Sequence, residues 1–220
     1  MSAAPPPPAF DAVHLVLIED DVMLCDLLAR AIMARFAPRT LRTFHDGEAG
    51  LAQCLAHPPD LLITDLRLPG VEGREIIRRV RARHPSTRCV VLTSAATAAL
   101  PAELLALGVG GFVDKGSPVD HLERAIERVL AGGLYFSTQV KPAPVAEARP
   151  AVDGPAPSVL TEREREIARL VAGGLISKEI AERLGLSPRT VEKERGDIMA
   201  KIGVRDLAGF VRWCVRNGLG

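Results

Sequence analysis

The sequence predicts an α/β chain: a doubly wound, five-stranded parallel sheet followed by a small all-α domain. Three observations carry this. Short apolar runs alternate strictly with amphipathic helical patterns from residue 13 to about 131. Residues 141–158, "KPAPVAEARPAVDGPAPS", hold five prolines, five alanines and no hydrophobic periodicity. After them come only helical patterns, broken at Gly173-Gly174, Gly185 and Gly203.

"VHLVLI" (13–18), "LLIT" (61–64), "CVVLT" (89–93) and "GGFVD" (110–114) read as buried strands, and "TLRTFH" (40–45) as a weaker one. The helical segments between and after them are "VMLCDLLARAIMARF", "GEAGLAQCLAH", "GREIIRRVRARH", "AALPAELLALG" and "VDHLERAIERVLAG". Strand–helix alternation of this kind argues for a parallel sheet covered on both faces. The proline-rich stretch reads as an extended linker. Beyond it, "TEREREIARLVAG", "SKEIAERL", "PRTVEKERGDIMAKI" and "RDLAGFVRWCVRNG" are four helices. Thr161 with Glu164 forms a capping box, Ser177 precedes the second run, and Ser187-Pro188 supplies an N-cap with proline at the first helical position. The predicted units are a disordered proline-rich leader (1–11), an α/β domain (12–140), a linker (141–158) and a helical domain (159–220).

Charge is divided unevenly along the chain. Net charge is +1, but residues 1–140 carry 14 Lys/Arg against 16 Asp/Glu, while 159–220 carry 12 against 9. Positive charge therefore collects at the C-terminal end. Cys25, Cys54, Cys89 and Cys214 show no C-x-x-C pair and no metal-ligand spacing, and each lies in an apolar stretch. They read as reduced, buried thiols of a cytoplasmic protein. The N-terminus "MSAAPPPPAF" lacks a basic and an apolar region, and no run approaches the length of a membrane span.

In a doubly wound sheet, function gathers at the carboxyl ends of the strands. The first strand delivers Glu19, Asp20 and Asp21, the third Asp65 ahead of the "LRLPGVEG" loop, the fourth Thr93 and the fifth Lys115. Singly, each has an ordinary explanation: Asp21 as a helix cap, Thr93 as a strand residue, Lys115 as a solvated loop cation. Together they form one crevice holding carboxylates, a hydroxyl and an ammonium. Clustered carboxylates call for a cation, and hard oxygen ligands with open positions suit Mg²⁺. An Asp beside Mg²⁺ can attack phosphorus and become an aspartyl phosphate, with Lys115 and Thr93 contacting the phosphoryl oxygens.

Residues 13–131 resemble the receiver domains of bacterial two-component response regulators, which have a flavodoxin-like fold. The resemblance rests on "LVLIED", "DLLITDLRLPGVEG", "VVLTSA" and "GFVDKG" in combination. It implies that Asp65 is the phosphoacceptor, Asp20 a direct Mg²⁺ ligand, Glu19 its outer partner, and Arg67 the donor of a backbone carbonyl to the metal. Thr93 and Phe112 match the family's switch pair; the plainer reading of Phe112 is core packing. One departure is Gly116 directly after Lys115, where the family often has proline. Glycine there predicts a less rigidly placed lysine.

"LTEREREIARLVAGGLISKEIAERLGLSPRTVEKERGDIMAKIGVRD" resembles the helix-turn-helix domain of the NarL/LuxR (GerE-type) regulators. With the receiver, it makes the chain resemble a NarL-type response regulator: a DNA-binding transcription regulator switched by phosphorylation. A sensor histidine kinase as phosphodonor, promoter DNA and a homodimer on activation are the partners this implies. Ile180, Ala181 and Leu184 form an apolar face on one helix, and Val191, Ile198 and Ile202 on the next. That leaves Arg189, Thr190, Lys193 and Arg195 toward the DNA groove or its edges. On the last helix Leu207, Val211 and Cys214 form one apolar stripe, with Phe210 and Trp213 beside it, so one stripe is available to pair two copies.

Glu192 and Glu194 sit awkwardly in a helix meant for a polyanion, and they keep open a second reading, a phosphoryl-accepting interaction module that does not bind DNA. They either weaken nonspecific binding or pair along the helix with Arg189, Lys193 or Arg195. A phosphoaspartyl hydrolase is a third reading, but Asp65-Leu66-Arg67 lacks the second carboxylate of its D-x-D pattern.

Overall fold

The computed structural model describes residues 10–94, 100–137, 157–204 and 207–219. The first part runs β1 (His14–Ile18), α1 (Val22–Phe36), β2 (Thr40–Phe44), α2 (Gly47–Ala56), β3 (Leu61–Asp65), α3 (Gly73–Arg83), β4 (Arg88–Thr93), α4 (Leu100–Ala106), β5 (Gly111–Asp114), α5 (Val119–Leu130) and β6 (Tyr135–Phe136). The second part is α6 (Glu162–Ala172), α7 (Ser177–Leu184), α8 (Pro188–Lys201) and α9 (Leu207–Arg216).

The strands form one parallel sheet in the order β2-β1-β3-β4-β5-β6. Period-two alternation sends successive side chains to opposite faces. Leu15, Leu17, Ile63, Val90 and Leu92 meet α1 and α5 through Leu28, Ile32 and Ile126. Val16, Ile18, Leu62, Val91 and Phe112 meet Leu51, Ile76, Ile77 and Leu104 of α2, α3 and α4. Every residue of β3 is buried, as expected of a central strand covered on both sides. Strand order reverses between β1 and β3, so the crevice opens at their carboxyl ends.

Two sequence expectations need correcting. The sheet has six strands, because Tyr135 and Phe136 pair with Gly111 and Phe112. Two residues are too few to show an alternating pattern, and neighbouring backbone bonds rather than sequence make this strand. Phe10 also belongs to the fold: its ring lies 4.5 Å from that of Phe36, on the first core. Residues 1–9 of the expected leader and most of the expected linker fall outside the described residues.

In the helical domain, Thr161 and Glu164 form the expected capping box, and Ser187 caps α8 by accepting from Thr190 N. The N-cap of α7 is Ile176, one residue earlier than the serine the pattern suggested. The Glu179 carboxylate at the third helical position reaches back to accept from Ile176 N at 2.9 Å, which satisfies the N-cap's own N–H, while isoleucine offers no side-chain acceptor to the first turn. Ile167, Val171, Ile180, Val191, Ile198, Phe210, Trp213 and Cys214 form the core. Phe210 and Trp213 thus pack inward with Cys214, and the two-stripe division of α9 does not hold. Val211 is also buried but lies outside that core, on a helix that packs against α4 of the first domain.

Candidate phosphoryl-acceptor site

Glu19 and Asp20 follow β1, Asp65 ends β3, Thr93 ends β4 and Lys115 follows β5, so the sheet itself gathers them. Glu19 is fully buried, Asp65 and Thr93 nearly so, and Asp20 is exposed. Oxygens of Glu19, Asp20 and Asp65 all lie within 4.8 Å of one another. The Lys115 ammonium joins two of them, donating to Asp65 Oδ2 at 2.6 Å and Glu19 Oε1 at 2.7 Å. Arg67 N donates to Asp65 Oδ1 at 3.1 Å, while the Arg67 guanidinium donates to Ser94 Oγ at 3.1 Å. That second bond crosses the mouth of the crevice from the loop after β3 to the end of β4, and no sequence pattern announced it.

The charges behave as burial and pairing require. Burial pushes the Glu19 carboxyl above its ordinary value, and the hydrogen bond from Lys115 opposes this. Lys115 is pulled down by burial, but its bonds to Asp65 and Glu19 outweigh that and raise it overall. Lys115 is also held through its backbone, donating from N to the Thr93 carbonyl at 3.0 Å. Gly116 N in turn donates to Asp114 Oδ1 at 2.7 Å. These two bonds tie the backbone on either side of the Lys115–Gly116 peptide to the ends of β4 and β5. Asp21 does cap α1, accepting from Leu24 N at 3.0 Å. Phe112 is fully buried in the second core.

A glycine shapes the acceptor strand's exit. A Cβ on Gly73 would stand 1.9 Å from the Asp65 carbonyl oxygen, so α3 can begin hard against the acceptor only with glycine there. Glu19 Oε2 is buried and has no hydrogen-bond partner. A spare carboxylate oxygen beside two further carboxylates fits a hard divalent cation.

Residues 15–127 match the family of response regulator receiver domains, and residues 158–214 match the bacterial regulatory proteins of the luxR family. The chain belongs to the LuxR-type response regulators. It is 30% identical to the response regulator GacA of Pseudomonas viridiflava over 94% of this chain and 97% of that protein. It is also 30% identical to the transcriptional regulatory protein MctR of Rhizobium johnstonii, over 94% of this chain and 95% of that one. Against the transcriptional activator DevR/DosR of Mycobacterium tuberculosis the identity is 34%, over 72% and 76%. A solved LuxR-family response regulator from Aurantimonas matches with TM-score 0.55 at 26% identity, over 59% of this chain and 92% of that one. The RcsB response regulator of Salmonella typhimurium shares the fold along 92% of this chain and 97% of its own, at 22% identity and TM-score 0.55. This response regulator is accordingly a two-component, DNA-binding transcription regulator, and among its described residues no helix is long and apolar enough to cross a membrane.

The predicted DNA-facing residues are not all on one surface. Arg189 and Lys193 are exposed and Thr190 half-buried on α8. Arg195 turns the other way and donates from Nη1 to the Gly132 carbonyl of the receiver at 2.9 Å. Glu192 is exposed and Glu194 half-buried, and neither forms an ion pair among the described residues. Three further contacts join the domains. Arg128 of α5 grips both Glu179 oxygens, at 3.2 and 3.1 Å, and donates to the Gly174 carbonyl at 2.7 Å. Arg212 of α9 donates to the Leu105 carbonyl of α4.

Proposed function

We propose that this regulator accepts a phosphoryl group on Asp65 from a sensor histidine kinase and that the modification frees its helical domain to bind promoter DNA as a homodimer. The observation that carries the first half is the Lys115 ammonium shared between Asp65 and Glu19 at the switch point of the sheet. Asp20, Asp65 and the Arg67 carbonyl would hold Mg²⁺, with Glu19 behind them. The ion supplies, when bound, positive charge that offsets the charge of the phosphoryl oxygens. An Asp65 oxygen attacks phosphorus, and the bond from phosphorus to the donor breaks with its electron pair leaving on the donor. Lys115 passes from Asp65 to a phosphoryl oxygen, and Thr93 donates its hydroxyl to another. Phe112, beside Val91 in the adjacent register, follows Thr93 as its switch partner. Arg67 stands where a hydrolase of the D-x-D type would place its second carboxylate, which favours a phosphoryl acceptor over a hydrolase of that type.

The docked arrangement supports the second half. It ties Arg195 to Gly132 and covers one side of α9 with α4, the helix that follows the Thr93 strand. Separation frees Arg195 from Gly132, leaves Arg189, Thr190 and Lys193 unobstructed on their own side of α8, and exposes α9 to a second copy.

Incubation with acetyl phosphate and Mg²⁺ followed by intact-mass measurement tests the acceptor. The wild type should gain one phosphoryl group, Asp65→Asn none, and Asp20→Asn should need far more Mg²⁺. Full incorporation in Asp65→Asn would sink the assignment.

A further inference from the structure

The helix that follows Asp20 and Asp21 keeps one face uncovered. Of the six large apolar side chains exposed among the described residues, four belong to α1: Val22, Met23, Leu27 and Met33, at 56%, 83%, 54% and 47% exposure. With about 3.6 residues per turn, these four share one side of the helix with the exposed Asp26, Arg30 and Ala34. The other side, with Cys25, Leu28, Ile32 and Phe36, fills the first core. Exposed apolar side chains are ordinary when scattered, but a continuous stripe of them marks a contact surface. Docking of the helical domain leaves this stripe open, because α9 packs on α4 and α4 lies on the other face of the sheet.

The charges on this face single out its occupant. Asp26 and Arg30 stand four residues apart, acid before base, the spacing at which a helix pairs its own charges. Neither has an ion pair among the described residues. Arg35, further round the helix, is already taken: it pairs with Glu127 at 2.9 Å and lies over the Phe36 ring. The exposed set is also symmetric about the level of Leu28. Val22 and Ala34 are equally far from it along the helix, as are Met23 and Met33, and Asp26 and Arg30. A copy of α1 laid antiparallel about that level opposes methionine to methionine and carboxylate to guanidinium, at both ends. The two Leu27 side chains then stand about 3 Å apart along the axis, beside the centre. A surface that complements itself in this way is what a two-fold contact requires. A partner of uniform charge would repel either Asp26 or Arg30.

We infer that α1 is a self-pairing face, through which the receivers of two copies of this chain join with their α1 helices antiparallel. The inference rests on the reading of this regulator as a homodimer and adds a second contact to the one at α9. One helix face from each copy buries less than a standard interface, so this contact alone is weak, with a dissociation constant on the order of 10⁻⁴ M. Release of the helical domains makes pairing at α9 intramolecular within a receiver pair, and two weak contacts then act as one strong one.

Sedimentation equilibrium of the full chain, before and after treatment with acetyl phosphate and Mg²⁺, measures the association. Leu27→Glu sets two carboxylates beside the two-fold axis and should weaken it by about tenfold or more. Asp26→Arg and Arg30→Asp each set like charges opposite one another at both ends, and each should weaken it by about tenfold. An equal mixture of those two variants should associate as the wild type does, because a pair of unlike copies regains both ion pairs. A folding defect is not cured by mixing. Phosphoryl incorporation at Asp65 checks the fold of each variant; if Leu27→Glu fails that check, the charge variants and their mixture decide. Two results overturn the inference: association of wild-type strength in all three variants, which assigns the stripe to a different protein, or a mixture no stronger than either variant alone. A wild type that stays monomeric even when phosphorylated counts instead against the homodimer reading itself, so the two failures are separable.

Discussion

Arg128 on the last turn of α5 and Glu179 on the first turn of α7 form a two-pronged ion pair across the domain boundary, at 3.2 and 3.1 Å. Glu179 has a second duty, since it also caps α7 through Ile176 N. The receiver therefore holds the helical domain by the same carboxylate that fixes the first helix of its DNA-binding pair. Both side chains remain about a third exposed, at 32% and 40%, so solvent screens much of the attraction.

Arg128→Ala should loosen docking without touching the phosphoryl site. Loss of a screened pair together with its bond to Gly174 O corresponds to about 1 kcal/mol, or roughly fivefold. The unphosphorylated variant should bind promoter DNA more tightly than the unphosphorylated wild type by about that factor. An unchanged affinity in a titration at low salt means the clasp does not restrain the DNA-binding helices.

The isolated fragment 159–220 should bind DNA at least as well as the unphosphorylated full chain, because Gly132, Arg128 and α4 are gone. Gel shifts at matched concentrations decide this. A much weaker fragment would mean that pairing of receivers, and not release, supplies the affinity.

Lys115→Ala removes the cation shared by Asp65 and Glu19, whose side chains are 8% and 0% exposed. Phosphoryl incorporation should slow by roughly 10²-fold, and the fold should lose about 3 kcal/mol or more from the stranded buried charge. Since the folded Lys115 value is raised, the bridge stabilises fully below the ordinary lysine value of about 10.4 and is lost as pH climbs through the raised one. Urea melts of variant and wild type should therefore differ throughout neutral pH and converge only in strong alkali. Convergence already near neutrality would contradict the bridge.

All four thiols should be inert in the native state. Burial pushes Cys25 up to about 11, and Cys54, Cys89 and Cys214 up to about 12. At pH 8 a thiol of pKa about 12 is ionised to only ~10⁻⁴, against roughly a quarter for a free cysteine. Iodoacetamide should label the unfolded chain fourfold and leave the folded chain unmodified over the same interval. Rapid single labelling with the fold intact would show that one of these positions is open to solvent.

Most of the receiver and its site is legible in the order of residues. Strand and helix periodicities are local, and parallel topology forces strand ends to one edge, so Glu19, Asp20, Asp65, Thr93 and Lys115 can be read as a set without knowledge of any contact. The helix caps at Thr161 and Ser187 are equally local and equally legible. Relations that span the chain are another matter, because folding in three dimensions creates them. β6 exists because Gly110 and Phe112 offer backbone carbonyls to Tyr135 and Ser137, and two residues hold no periodic signal. Arg195 reads as one more cation on a DNA-facing helix, yet at this position it reaches a carbonyl 63 residues away. Arg128 reads as an ordinary last-turn arginine, and nothing within its own helix points to Glu179. Domain docking matches surfaces through scattered side chains and carbonyls that have no spacing along the sequence, so its pattern becomes visible only when the two folds are placed together.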